Sequence, residues 1–361
     1  MKLFPKKSYV GVDLGSFRIK VVQVEAEAGG GRVIRAAGCP TPPNTIRDGL
    51  VLDVAAVASA LKDVLKEGRI TATNATVAAA GGTVFVRPVA FPKVPEAAIR
   101  KSIRLEATRY IPGTAVDSYI ECEILGDLED NRMNVLIVAA SKEVVESRMA
   151  VCEAAGLTVE VVDLEAFAMY RSLIEVDPTV SVQEETIALV DIGASMTSVS
   201  VIHQGVFVVN RTVPHGGRLL TDALKAYFKL EDADAEAGKS QLDARDLLSD
   251  HVVKENPPLR VVQPHLDDLV REVRRSLNYF QSQQLEGTPG ARKVNRIVLA
   301  GGGAKLLGLA EYMEKKLGLP IACAGIYAAK QFSALGETAD SGLDMAVAAG
   351  LAIHGSIRRA A

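Results

Sequence analysis

Cysteine is scarce and poorly spaced for chemistry. The 361 residues hold only Cys39, Cys122, Cys152 and Cys323, with no C-x-x-C pair and no histidine at zinc spacing. The expectation is four free thiols in a reducing compartment. Long apolar runs are missing as well. No stretch approaches the roughly eighteen uncharged apolar residues that span a bilayer. The longest candidate, 345–353, is short and rich in Ala and Gly. The basic stretch 1–7 is not followed by the apolar region of a secretion signal, because the next apolar run meets Asp13, Arg18 and Lys20. Nor is there an excess of one charge: 41 basic and 44 acidic residues leave a net of −3, which gives no footprint for nucleic acid. These absences lead to the expectation of a soluble protein that acts without nucleic acid and sits at most beside a membrane.

The best-known phosphate signatures are absent too. Gly301-Gly302-Gly303 follows a strand pattern at 295–300, but a Rossmann fingerprint needs glycine where Leu306 stands. Gly238-Lys239-Ser240 ends like a Walker A loop, yet Ala233 occupies the position of its first glycine and no strand precedes it. The His-Arg-Asp and Asp-Phe-Gly signatures of protein kinases do not occur.

What the sequence does contain is one motif twice. Tyr9-Val10-Gly11-Val12-Asp13-Leu14-Gly15-Ser16 runs into Ile19-Lys20-Val21-Val22, and Ile187-Ala188-Leu189-Val190-Asp191-Ile192-Gly193-Ala194-Ser195 runs into Thr197-Ser198-Val199. Each reads as a β-branched strand, a tight Asp-x-Gly turn and a second strand. The repetition suggests two similar halves, each opening with a hairpin. With 48% apolar and 24% charged residues the chain is globular, and its length suits two or more structural units. An Asp-x-Gly turn fits a phosphate: glycine lets backbone approach a ligand, and successive N–H groups form an anion nest. Ser16, Ser195 and Thr197 add hydroxyls, and Lys20 adds a positive charge. Asp13 and Asp191 would repel phosphate but can hold a hydrated Mg²⁺ that bridges phosphates. The third element, Gly301-Gly302-Gly303-Ala304 leading into a helix expected over 306–317, suits a nucleotide phosphate or ribose.

In order and internal spacing, Asp13-x-Gly15-Ser16-x-x-x-Lys20, Asp191-x-Gly193-x-x-x-Thr197 and Gly301-Gly302-Gly303-Ala304 resemble the phosphate-1, phosphate-2 and adenosine motifs of the actin, Hsp70 and sugar-kinase superfamily. The segments Leu105-Glu106-Ala107-Thr108-Arg109-Tyr110-Ile111-Pro112, Val162-Asp163-Leu164-Glu165-Ala166-Phe167-Ala168 and Glu272-Val273-Arg274-Arg275-Ser276-Leu277 narrow this resemblance to the PilM family, the cytoplasmic actin-like proteins of type IV pilus assembly. The resemblance implies an α/β actin-like ATPase fold of two duplicated, ribonuclease H-like cores, with a central nucleotide cleft and an inserted 1C-type subdomain like that of FtsA. It places the first core at 1–83 and 158–183, the insertion at 84–157, the second core at 184–215 and 291–361, and a small subdomain at 216–290. It implies ATP and Mg as cofactors, with Gly216, Gly217 and Lys239 joining the motif residues. It implies the N-terminal tail of PilN as partner, beside other pilus platform and motor proteins, at the cytoplasmic face of the inner membrane. A second copy of the chain is a further candidate partner.

The water-orienting position of the superfamily falls on Glu165, whose other reading is a helix cap. Ala194 and Ser195 stand where many of the superfamily's ATPases have glycine, which argues against fast hydrolysis. Two functions stay open: an ATP-binding scaffold that captures the PilN tail and links it to the motor, or a turnover enzyme, either an ATPase or a small-molecule kinase. Elsewhere, periodicity predicts a helix over 96–110 between Pro95 and Pro112, strands over 118–125 and 133–140, and a helix over 142–155. It also predicts a core-packing helix over 265–284, with Pro257-Pro258 marking a loop before it. The groove for the tail is expected on the surface formed by 84–91 and 96–110, where Arg100, Lys101, Arg104 and Arg109 give cationic character.

Overall fold

The computed structural model describes residues 7–27, 30–106, 109–111, 117–176, 182–249, 255–282, 293–326 and 342–357. The chain opens with strands β1 (Ser8–Leu14), β2 (Arg18–Glu27) and β3 (Gly30–Pro40), a small hairpin of β4 (Ile46–Arg47) and β5 (Leu50–Val51), helix α1 (Val54–Glu67) and strand β6 (Asn74–Ala79). Then come β7 (Phe85–Pro92), α2 (Glu96–Glu106), β8 (Ser118–Leu128), β9 (Arg132–Ser141) and α3 (Lys142–Ala154). β10 (Thr158–Leu164) leads into α4 (Glu165–Tyr170) and a π turn, Arg171–Glu175. The second half runs through β11 (Thr186–Ile192), β12 (Thr197–His203), β13 (Val206–Val213), α5 (Gly217–Phe228), α6 (Asp232–Ser240) and α7 (Pro257–Ser282). β14 (Arg296–Ala300), α8 (Leu309–Leu317), β15 (Ile321–Cys323) and α9 (Ala346–Ile357) follow.

The two large sheets have one topology. The first is ordered β10-β6-β1-β2-β3 and the second β15-β14-β11-β12-β13. In each, an antiparallel meander continues into two parallel strands. The central strand of each, β1 or β11, is buried on both faces, which its near-continuous β-branched run anticipates. The hairpins are in equivalent register. Asp13 lies opposite Lys20 and Leu14 opposite Ile19; Asp191 lies opposite Ser198 and Ile192 opposite Thr197. Each aspartate therefore sits one pair below the tip of its hairpin, on the strand that forms the sheet's centre.

Between β6 and β10 lies a separate antiparallel sheet, β7-β9-β8, with α2 on one face. Ile99 and Ile103 of α2 bury against Val89, Phe91, Val135 and Ile137. β8 and β9 are longer than their apolar runs suggested, because a bulge between Ile124 and Gly126 keeps the ladder in register as far as Leu128. The helical turns of α2 end at Glu106; Ala107, Thr108, Pro112 and Gly113 lie outside the described residues. α3 follows β9 through Ser141 without a loop, and its Val151 and Cys152 belong to the core of the first half.

Two expectations needed correction. Pro257-Pro258 opens α7 rather than marking a loop. Proline lacks the N–H that a first helical turn leaves unpaired anyway, and Asn256 caps the turn by accepting from the Leu259 N–H at 3.2 Å. The glycine-rich turn after β14 enters a short 3₁₀ turn, Gly302–Lys305, and not a helix. The chain bends again at Gly308 before α8 begins.

The halves are joined by α4 with its π turn and by α9. α9 follows the second sheet in sequence but packs on β1, β2 and α4 of the first. The crossing is close: a Cβ on Gly350 would stand 1.7 Å from the Ala168 carbonyl oxygen. Ser172 of the π turn donates to the Ala346 carbonyl at 2.7 Å, and buried Asp163 binds both Arg171 (2.9 Å) and His354 (2.7 Å). We expect Gly350→Ala to lower stability by about 1–3 kcal/mol through overpacking at this crossing, read as a lower urea midpoint with an unchanged slope.

Candidate functional site

The two hairpin tips face each other across a cleft between the sheets. Ser16 Oγ and Ser195 Oγ, 179 residues apart in sequence, lie 2.8 Å from each other. Behind them Asp13, Asp191 and Glu165 line the deep end, together with Gly15, Gly193 and Gly301. Toward the second half the cleft opens into an adjoining cavity of about 290 Å³, lined by Phe17, Gly217, Leu220, Lys239, Gly303 and Leu306. Gly15, Lys20 and Gly302 line both, so one continuous space holds a charged end and a more apolar end.

Lys20 organises the charged end. Its Nζ lies 2.6 Å from Asp13 Oδ2, both side chains being largely buried. Burial works to lower the lysine pKa, but the charge and hydrogen bond of Asp13, with Asp191 and Asp344 beyond, outweigh it and hold the pKa above its usual value. Asp191 is pushed up to about 6: burial raises it most, Lys20 opposes, and Asp13 adds like-charge repulsion. Glu165, in the first turn of α4 just beyond β10, is pushed up to about 8 by burial, with Arg148 opposing and the two aspartates repelling. Leu164, the residue before α4, has no polar side chain with which to cap it, and Glu165 lines the cleft.

Glycine is required at the adenosine-like turn. Gly301 has φ 92°, and a Cβ there would lie 2.2 Å from Asp191 Oδ1. The backbone of that turn thus reaches the aspartate of the second hairpin directly. Gly216 and Gly217 extend the second tip: the Gly217 N–H donates to the Gly193 carbonyl at 2.9 Å and the Arg218 N–H to the Ala194 carbonyl at 2.8 Å. Lys239 reaches from α6 toward the same turn. It pairs with Glu236 at 2.6 Å and donates to Thr221 Oγ1 at 3.0 Å.

Two residues expected in the site turn away from the cleft. Thr197 is fully buried and its hydroxyl donates to the His215 carbonyl at 2.6 Å, so it shapes the second tip from behind. Ala304 is buried in the core of the second half. Two residues that sequence reasoning missed are also in place. Asp344, in the 3₁₀ turn before α9, pairs with Lys305 at 2.9 Å and with Arg18 at 3.6 Å, linking the glycine-rich turn to the first hairpin. Burial would raise its pKa, but Lys305, Lys20 and Arg18 hold it low. Arg148 of α3 is 2% exposed and touches the deep end through Glu165 at 3.9 Å. Neither carries a local signal, since both find their partners only through the fold.

A sequence model described as Type IV pilus assembly protein PilM matches residues 11–356. The chain belongs to the PilM family. Among solved structures it is similar to the "PilM-PilN type IV pilus biogenesis complex", with a TM-score of 0.81 and 26% identity over 98% of this chain and 99% of that one. MreB 5 of Spiroplasma citri, solved bound to AMPPNP, matches with a TM-score of 0.53 and 14% identity over 95% of this chain and 94% of that one. The cell division protein FtsA of Streptococcus pneumoniae serotype 2 (strain D39 / NCTC 7466) is 21% identical over 87% of this chain and 74% of that protein. The actin-like ATPase fold expected from the paired hairpins is therefore borne out, as is the assignment to the PilM family. Among the described residues no helix is long and apolar enough to cross a membrane.

The raised pKa of Asp191 makes a stability prediction with a definite sign. A folded-state acid with an elevated pKa binds its proton more tightly than the unfolded chain does, so stability falls as pH rises from about 4 to about 6 and the cost persists above that. Asp191→Asn should therefore stabilise the nucleotide-free protein at pH 8 by about 1–3 kcal/mol. The gain should shrink toward zero at pH 4, as read by urea unfolding of both proteins.

Proposed function

We propose that this PilM-family chain is an ATP-binding scaffold of the type IV pilus assembly platform. It works at the cytoplasmic face of the inner membrane and takes the short N-terminal tail of a PilN-type membrane protein. The observation that carries the nucleotide half is the meeting of the two Asp-x-Gly hairpins at Ser16 and Ser195, with two aspartates and one lysine directly behind. The tips offer hydroxyls and backbone N–H groups to phosphate oxygens, and Lys20 supplies positive charge. The adjoining cavity, with Lys239 at its rim, suits the nucleoside.

Mg²⁺ fits this donor set in one way. Among the described residues no three carboxylate, histidine or cysteine side chains converge on a metal position. Two aspartates on opposite strands match the habit of Mg²⁺, which keeps most of its water and takes one or two carboxylates plus substrate phosphates. When bound, the ion would neutralise phosphate charge against Asp13 and Asp191.

Scaffold is favoured over turnover enzyme by Glu165. Burial holds the Glu165 carboxyl well above the usual carboxylate range, which makes it a poor proton acceptor in the nucleotide-free protein. Hydrolysis is then slow unless a cation or a partner lowers that pKa.

For the tail, the likeness to a protein solved in complex with PilN supports a PilN-type partner, and the inserted subdomain is the receiver we propose. β7 runs beside β13 of the second half, while α2 leaves Leu105 76% exposed. Arg100 and Arg104 share the single carboxylate of Glu121 of β8, and Arg109, beyond α2, pairs with Glu106, so only part of the positive charge here is answered within the subdomain. Apolar contact around Leu105 and the remaining cationic charge together suit a short peptide.

Two measurements test the reading. Asp13→Ala and Asp191→Ala should each weaken Mg-ATP binding by about 1–3 kcal/mol in calorimetry, and wild-type affinity should rise through about pH 6 as Asp191 loses its proton and level off only above that. Unchanged affinity in both folded variants removes the nucleotide claim. Leu105→Glu should abolish capture of a synthetic PilN-type tail while leaving ATP affinity intact. Retained capture moves the tail site to the second half.

A further inference from the structure

Among the described residues Arg148 is the largest fully buried side chain, 2% exposed. Its guanidinium donates to three backbone carbonyls that no secondary structure satisfies together. Nε reaches Gly49 at 2.7 Å, Nη1 reaches Ala78 at 3.0 Å and Nη2 reaches Leu14 at 3.1 Å. Leu14 is the residue between Asp13 and Gly15, so the third bond fixes the carbonyl inside the first Asp-x-Gly turn. Nη1 also faces Glu165 Oε1 at 3.9 Å. One side chain thus holds the first turn, the floor beneath it and the acid of α4.

The helix that carries it has a second attachment. Glu146 accepts from Tyr119 Oη of β8 at 3.0 Å, and Ser147 accepts from the Val51 N–H of β5 at 3.3 Å. Three successive residues of α3 therefore touch the inserted sheet, the small hairpin of the first half and the cleft. α3 continues β9 without a loop, so the inserted sheet and the helix that carries Arg148 are directly connected.

We infer that Arg148 is a positioning residue for the terminal phosphate of a nucleoside triphosphate, through which the inserted subdomain sets the geometry of the deep end of the cleft. This rests on the nucleotide reading proposed above. Arg148 borders the deep end, but its guanidinium is engaged by the three carbonyls and faces Glu165. It acts by locking the Leu14 carbonyl, and hence the direction of the Gly15 and Ser16 donors, and by holding Glu165 beside them. Ser16 and Glu165 line the deep end and not the nucleoside cavity, while Gly15 borders both, so the phosphate farthest from the nucleoside should depend on Arg148 most, and a nucleoside triphosphate more than a diphosphate. Because Lys keeps the charge but not the three-pronged geometry, Arg148→Lys separates position from charge.

The test compares ATP and ADP affinities of the whole chain by calorimetry, for wild type, Arg148→Lys and Ser147→Ala. Ser147→Ala frees α3 from β5 without touching the cleft, and serves as the structural control. The expected result is an ATP affinity lowered about ten-fold in Arg148→Lys, the scale of one lost charge-assisted hydrogen bond, with ADP affinity changed far less and Ser147→Ala leaving the ratio at the wild-type value. An ATP-to-ADP ratio that stays wild-type in Arg148→Lys overturns the inference while leaving nucleotide binding in place, whereas a wild-type chain that binds neither nucleotide overturns both. Should Arg148→Lys fail to fold, amide exchange on the wild type decides. ATP must slow exchange over 142–154 more than ADP does, and equal protection overturns the inference.

Discussion

Lys20 reaches back across its own hairpin to Asp13 at 2.6 Å, and the character of the cleft follows from that contact. The pairing is dictated by register, because the two residues lie directly opposite each other in the first hairpin. Yet the lysine answers to more than one acid. Asp191 arrives from the other half and Glu165 from the connecting helix, and a single cation cannot neutralise all three. Asp191 and Glu165 therefore hold their protons to higher pH than they would in water. The protein holds this tension because the sheets that carry Asp13 and Asp191 are each buried on both faces and cannot relax apart cheaply. Charge balance at the floor is left to whatever enters the cleft.

Much of this was legible in the sequence where the signal was local. An Asp-x-Gly turn between two β-branched runs fixes a hairpin within some fifteen residues, and two such hairpins reveal a duplication that the sheets repeat strand for strand. The long amphipathic helix was legible too, except at its start, where two prolines looked like a break although a first helical turn tolerates them. What escaped notice were groups whose partners are distant. Arg148 binds carbonyls, which every residue possesses, and the nearest of them in sequence is 70 residues away. Asp344 meets Arg18 and Lys305 only after α9 has swung across the first sheet. Thr197 was misjudged for a related reason. Its spacing matched the motif, but strand pleat decides which way a side chain points, and here it points to the His215 carbonyl.

The inserted sheet is tied to the first half through α3 more firmly than a separate module would need. Val151 and Cys152 are part of the first-half core, and Cys152, its thiol pushed up to about 12 by burial, packs there as an apolar side chain. The insertion therefore cannot be excised at the ends of its sheet plus α3 without opening that core. A partner seated on it would push on a helix whose other face is the interior of the first half.

The close passage of α9 has a consequence for how the chain is made. Residues 346–357 supply a face of the first sheet, yet a ribosome delivers them nearly two hundred residues after β10 completes that sheet's strands. During synthesis the first half must wait with the backs of β1 and β2 uncovered, long after its own strands have paired. The second half meanwhile assembles its meander beside an unfinished neighbour of identical topology. The second meander ends in β13, which lies beside β7, a strand already delivered by then, so that outer edge meets the inserted sheet rather than the first meander.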